Sequence, residues 1–291
     1  MQSLAEAYPS KNITVTRSSS KVGVNRWLYP DTVDAEGRII GSIEDERHVE
    51  RSLVIYDPVG RRVVRTLATY PGGGNFLATI QASETVTDGR YVVWAEGSSN
   101  GEFLDWTLQI FDLKTGVKRL IARNGQFQDG SLLPKEISSL VIKGDRVWWT
   151  AGYGSTQKSL GVGVYSAALD GGGATLWRRD TAGLWPIKDG FLAAERVALP
   201  GKRDQGSHIV RLDTRGQRIG AILEERTTGF AGNDEFRIWG VPTPESAAED
   251  AEPEEERIRI RTADGALAEL PGTLVQESVQ GRFAGWQGEG G

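Results

Sequence analysis

The sequence predicts an all-β repeat fold, a β-propeller, on three observations. A two-part unit, a turn feeding a strand and then a hairpin, recurs along the chain. The hairpin aspartates Asp57, Asp112, Asp170, Asp213 and Asp264 return roughly every 40 to 60 residues, close to the length of a four-stranded blade with insertions. Nothing between the units carries the 3.6-residue period of an amphipathic helix over ten or more residues.

The clearest copy sets the pattern. Asp88-Gly89 supplies a turn, and Tyr91-Val92-Val93-Trp94 is β-branched and aromatic, as a buried strand should be. After a polar loop, Leu108 to Leu113 forms a second strand and Asp112 to Gly116 reverses it. In chain order, residues 1–11 read as a polar lead-in, and Asn12-Ile13-Thr14-Val15-Thr16 alternates as a strand before Ser18-Ser19-Ser20 breaks it. The first unit follows at Asp34 to Ile40 with its hairpin at Leu53 to Gly60. The third runs from Lys143 to Trp149 and Val164 to Gly171, and the fourth from Lys188 to Ala194 and Ile209 to Gly216. The fifth runs from Asn233 to Trp239 and Ile258 to Gly265. A sixth has strands at Val275 to Val279 and Arg282 to Trp286 but no hairpin of its own.

The spare strand Asn12 to Thr16 could complete that sixth unit and remove two exposed sheet edges. The expectation is therefore one propeller domain, 12–291, of six four-stranded blades closed by an N-terminal strand. Five full blades with a truncated tail is the alternative. The acidic run 244–256 has no large apolar group and reads as a solvated insertion in the fifth blade. Deleting Glu245 to Glu255 should leave the melting temperature nearly unchanged; a drop of many degrees would show a packed loop.

Asp-Gly-Arg-Tyr-Val-Val-Trp followed by Leu-Gln-Ile-Phe-Asp-Leu-Lys-Thr-Gly resembles the blades of TolB-like and related WD40-like six-bladed propellers. The resemblance covers nearly the whole chain, although the Gly-His and Trp-Asp dipeptides of true WD40 repeats are missing. It implies a fold and, by analogy alone, a binding role; fold does not fix function.

Composition narrows the classes. The net charge of −5 gives no support for nucleic-acid binding, which wants a basic face. No apolar run approaches a membrane span. With no cysteine there is no disulfide, thiolate metal site or cysteine nucleophile. That absence suits an oxidising compartment and many cytoplasmic proteins alike, so the expectation of an extracytoplasmic or secreted protein rests on a start at Met1-Gln2-Ser3 that would fit removal of an export signal. A monomer is expected.

No Gly-x-Ser-x-Gly elbow, His-Glu-x-x-His pair or phosphate-binding glycine loop is present. The two histidines, His48 and His208, read as polar surface residues. Trp94, Trp149 and Trp286 recur five residues after a glycine and read as wedges between blades. Trp106, Tyr153 and Trp185 fall outside that pattern and are candidates for a surface site. The loops after the inner strands carry Glu44, Glu96, Asp105, Trp106, Tyr153, Lys158, Glu195, Arg196 and Lys202. Glu96 and Glu195 follow matching positions and could approach one channel mouth. Converging carboxylates there could bind calcium through oxygen ligands or act as the acid and base of a glycoside-cleaving enzyme. The leading expectation is a non-enzymatic binding module with no catalytic residue and no cofactor. A carbohydrate-active propeller enzyme and a sensor domain cut from a longer envelope protein are the alternatives.

Overall fold

The computed structural model describes residues 21–23, 25–45, 50–71, 80–98, 104–133, 137–196, 207–227, 229–241, 257–262, 264–271, 276–280 and 283–287. Among them are antiparallel sheets, one short 3-10 turn at Gln157–Ser159 and no α-helix. The expected closing strand Asn12 to Thr16, the acidic run 244–256 and His48 lie outside the described residues. The chain divides into two compact units that part between Asp180 and Thr181.

The unit ending at Asp180 holds three sheets. The first is β1 (Lys21–Gly23), β2 (Arg26–Val33), β3 (Ile39–Asp45), β4 (Glu50–Asp57) and β5 (Arg62–Pro71), paired in that order. The second is β6 (Ile80–Thr87), β7 (Tyr91–Ser98), β8 (Thr107–Asp112) and β9 (Val117–Arg123). The third is β10 (Ser138–Lys143), β11 (Arg146–Tyr153), β12 (Gly161–Ala168) and β13 (Thr175–Arg179). The first sheet departs from the expected four strands. Asn25, at a φ of 56°, makes a tight turn that lets β1 pair with β2.

The other unit begins with a sheet of β14 (Thr181–Ile187), β15 (Gly190–Arg196), β16 (Ser207–Leu212) and β17 (Glu224–Thr227). It continues with β18 (Phe230–Gly232), β19 (Phe236–Val241), β20 (Arg257–Thr262) and β21 (Leu267–Pro271). The paired strands β22 (Gln276–Gln280) and β23 (Phe283–Gln287) come last, within a residue of their expected places.

The repeated aspartates owe their spacing to turn chemistry. Asp112 Oδ1 accepts the backbone N–H of Lys114 (2.8 Å) and Thr115 (3.2 Å), and Asp57 Oδ1 accepts those of Val59 and Gly60 at 3.0 Å. Asp213 does the same for Arg215 and Gln217. Asp88 and Asn233 hold the turns between the first and second strands of their sheets, and Asp34 the turn between β2 and β3. A short side-chain acceptor satisfies amides that a two-strand reversal would leave bare.

Packing follows from the period of two. Along β7, Val92 and Trp94 face Ile40, Leu53, Ile55 and Tyr70 of the first sheet. Val93 and Ala95 face Val147, Trp149 and Ala151 of the third. In the other unit, Leu192 and Ala194 pack against Phe230 and Trp239. Trp94, Trp149 and Trp239 are among the largest fully buried side chains, so each is a wedge between consecutive sheets. The Trp286 side chain lies outside the described residues. Polar stitches cross the same seams. Arg65 on β5 donates to the Leu113 carbonyl at 2.9 Å, and Arg119 on β9 to the Leu169 carbonyl at 2.6 Å.

Candidate functional site

Glu96 and Glu195 occupy the same place in their strands, the sixth residues of β7 and β15. Each is already paired inside its own unit. Glu96 Oε1 accepts from the Tyr70 hydroxyl (2.8 Å), Trp94 Nε1 (3.0 Å) and Lys118 Nζ (2.6 Å). The Lys118 ammonium also lies 5.2 Å from the centre of the Trp94 ring. Burial, and then the Glu96 charge, hold the Tyr70 phenol well above its usual range. Glu195 is bonded to Arg218, with His208 opposite it in the register. Glu44, on β3, is paired with Arg51. A calcium ion at any of the three would have to displace a cation that already neutralises the carboxylate. Among the described residues, no group of three or more histidine, aspartate or glutamate side chains is placed to hold a metal.

The remaining expected residues divide. Asp105 ties its loop back, accepting from the Ser98 amide and hydroxyl at 2.8 Å each. Trp106 is in the core between the second and third sheets, not on the surface. The Tyr153 hydroxyl donates to Asp180 Oδ1 at 2.8 Å, and Arg179 lies 5.0 Å from its ring centre. Trp185 is half-buried against Phe230, edge to face, with centroids 4.8 Å apart. Arg196 ends β15 opposite Ser207, Lys158 is exposed in the 3-10 turn, and Lys202 lies outside the described residues.

The structure draws attention instead to β2, β6 and β10. β6 packs between β2 and β10, and all three are bulged: the register slips at Pro30/Thr32, Ser83/Val86 and Ser138/Val141. Glu84 and Ser139 sit in these bulges at a φ of 50°. That conformation costs a side-chain-bearing residue on the order of 1–3 kcal/mol, and bulges re-aim side chains. The Thr85 hydroxyl crosses to Asp31 Oδ2 at 2.8 Å. Asp31 is exposed as a residue, but local desolvation of its carboxyl beside β6 pushes it up to about 6, with the Thr85 hydrogen bond pulling the other way. Tyr29 (49% exposed), Ile80 (51%) and Glu84 are open to solvent on the same strands. Aromatic, aliphatic and carboxylate side chains are thus exposed on these strands. Their signal in the sequence is the interruption of strands by charge, Pro30-Asp31 in β2 and Ser83-Glu84 in β6, which breaks the alternation that marks a strand.

No protein-family profile matches the chain, and no curated protein matches it in sequence. Solved structures do. The β-propeller domain of the Trilobed protease from Pyrococcus furiosus is 11% identical, with a TM-score of 0.56 over 90% of this chain and 77% of that one. An oligogalacturonate lyase in complex with manganese is 11% identical over 84% of this chain and 73% of that one, at a TM-score of 0.48. TolB from Acinetobacter baumannii is 13% identical at a TM-score of 0.43; this chain is covered over 85% and spans 63% of TolB. At such identities the first of these likenesses speaks for architecture alone. The resemblance carried by the repeated turns and strands is thus one of fold: the chain has the fold of the β-propellers.

Proposed function

We propose that the chain is a non-enzymatic binding module that recognises a protein or cell-surface ligand. The observation that supports it is the state of the carboxylates. The glutamates that an acid–base mechanism would recruit, Glu44, Glu96 and Glu195, are each neutralised by a neighbouring cation, whereas the bulged strands expose Tyr29 and Ile80. Placement outside the cytoplasm belongs to the same reading and fits a sequence without cysteine.

A thermal-shift screen with divalent metals, oligosaccharides and cell-envelope fragments tests it. A ligand at about 100 times its dissociation constant adds roughly 2.7 kcal/mol. We expect a saturable shift with one class, lost in the D31K/E84K double variant while its native strand content is kept. Turnover of any oligosaccharide, abolished by Glu96→Gln or Glu195→Gln, would replace this reading with the carbohydrate-active enzyme.

A further inference from the structure

One seam between sheets breaks the rule that the others keep. The second residue of β7, β11 and β15 pairs across to the next strand as Val92 with Phe111, Val147 with Ala167, and Phe191 with Leu212. All three pairs are apolar, and Val92, Val147 and Phe191 are fully buried. The corresponding pair in the fifth sheet is Arg237 with Arg261. Two guanidinium groups directly opposite each other repel. Arg259 adds a third on the same strand as Arg261, two residues away and so on the same face.

Among the described residues the compensation is incomplete. Glu224 of β17 bonds Arg261 Nη1 through Oε1 at 2.9 Å, and its Oε1 lies 3.6 Å from Arg237 Nη1, beyond a hydrogen bond. Arg259 is taken by Glu269 at 3.1 Å. Arg261 also rests over the buried Trp239 ring, 5.5 Å from its centre. The Arg237 side chain is only 21% exposed and, among the described residues, has no hydrogen-bond acceptor. A guanidinium carries five donors, and leaving them unmet in a half-buried place is costly. Among the described residues, three arginines therefore face two carboxylates. Burial and the nearby Arg261 push the Arg237 guanidinium below its usual range, against the pull of Glu224. Burial likewise raises the Glu224 carboxyl in spite of three arginines around it.

We infer that Arg237, Arg261 and Arg259 form a binding site for a dianionic oxyanion of the phosphate class, with Glu224 as the internal group that partly fills it. A tetrahedral dianion offers several acceptor oxygens and can take paired N–H groups from Arg237 and Arg261 together, which one Glu224 oxygen cannot. The ligand competes with Glu224, so the site is tuned for an anion of higher charge than a carboxylate. This inference does not rest on the bulged strands β2 and β6.

The test is isothermal titration of the full chain with inorganic phosphate and with phosphoserine, at ionic strength matched with sodium chloride. Saturable binding of either is expected, and which of the two binds tells a free ion from a phosphorylated partner. Arg237→Val copies Val92 and should weaken binding about tenfold or more, the loss of charge-assisted hydrogen bonds. Arg259→Gln, at a more exposed position, guards against a folding defect and should weaken binding by a smaller factor. Glu224→Gln should tighten binding, because it removes the competitor; a purely structural ion network predicts no gain. Absence of saturable binding with both probes overturns the inference, as does binding that survives unchanged in both arginine variants.

Discussion

The seam between the first and second sheets and the seam between the fourth and fifth are built from the same positions with opposite chemistry. At the first, Val92 and Phe111 on β7 and β8 turn toward Ile40, Leu53 and Ile55. At the second, Arg237 and Arg261 on β19 and β20 turn toward Glu224. Trp94 and Trp239, two residues further along β7 and β19, are buried wedges in both. The two seams thus hold different solutions beside the same tryptophan position. Where a repeat is free to repeat and does not, the departure points to a task other than folding.

The largest effect expected on this comparison comes from forcing the charged solution where no carboxylate answers it. Val92→Arg should destabilise the protein by about 3–5 kcal/mol, the cost of an uncompensated buried charge, read from urea unfolding. Near-native stability would mean that the first seam opens to water more easily than its packing indicates. Glu224→Gln should cost less, about 1–3 kcal/mol, because the arginines it leaves behind keep some solvent. If it costs nothing, the carboxylate is not holding the arginine pair. Lys118→Met removes the cation from Glu96 in the first seam. With Lys118 more than a third exposed and the Tyr70 and Trp94 donors still in place, the loss should stay within about 1 kcal/mol.

The smallest effect is a pH dependence, because Asp31 is exposed and solvent screens its charge. The Asp31 carboxyl is raised to about 6 in the folded chain from an ordinary 3.8. Its contribution to stability is therefore complete below pH 3.8 and is lost as pH rises through about 6. Asp31→Asn should melt like the wild type at pH 4 and higher than it at pH 7. A pH-independent difference would remove Asp31 as the titrating group. Asp213 runs the other way. The Gln217 amide holds its carboxyl low first, opposed by burial and helped by the Arg215 amide and charge. Its stabilisation is present above the ordinary carboxylate range and is lost as pH falls below it.

Legibility in the sequence followed the range of the interaction. The turns at Asp88, Asp112 and Asp213 are closed by bonds within four residues, so the repeat could be read directly. The strand β2, with Pro30 and Asp31 in it, escaped because its bulge and its charge answer to β6 and not to its own neighbours in sequence. Trp106 was expected at a surface, although Trp106, Leu108 and Ile110 step inward with a period of two. Extending that period back by one step places it in the core. Arg237 sat in a strand that was readable, but its partners Arg261 and Glu224 come from β20 and β17. Only the cross-strand register shows two arginines where the other sheets pair apolar groups.

The most direct measurement is urea unfolding of the triple variant Glu224→Leu, Arg237→Val, Arg261→Phe, which copies the apolar seam into the charged one. If the arginines serve a ligand, the variant should be as stable as the wild type or more so, by up to about 4 kcal/mol, because well-packed apolar groups commonly match or better a buried ion network. A loss of more than about 2 kcal/mol, with native strand content retained, would show that the arginines hold the fold and would contradict the claim.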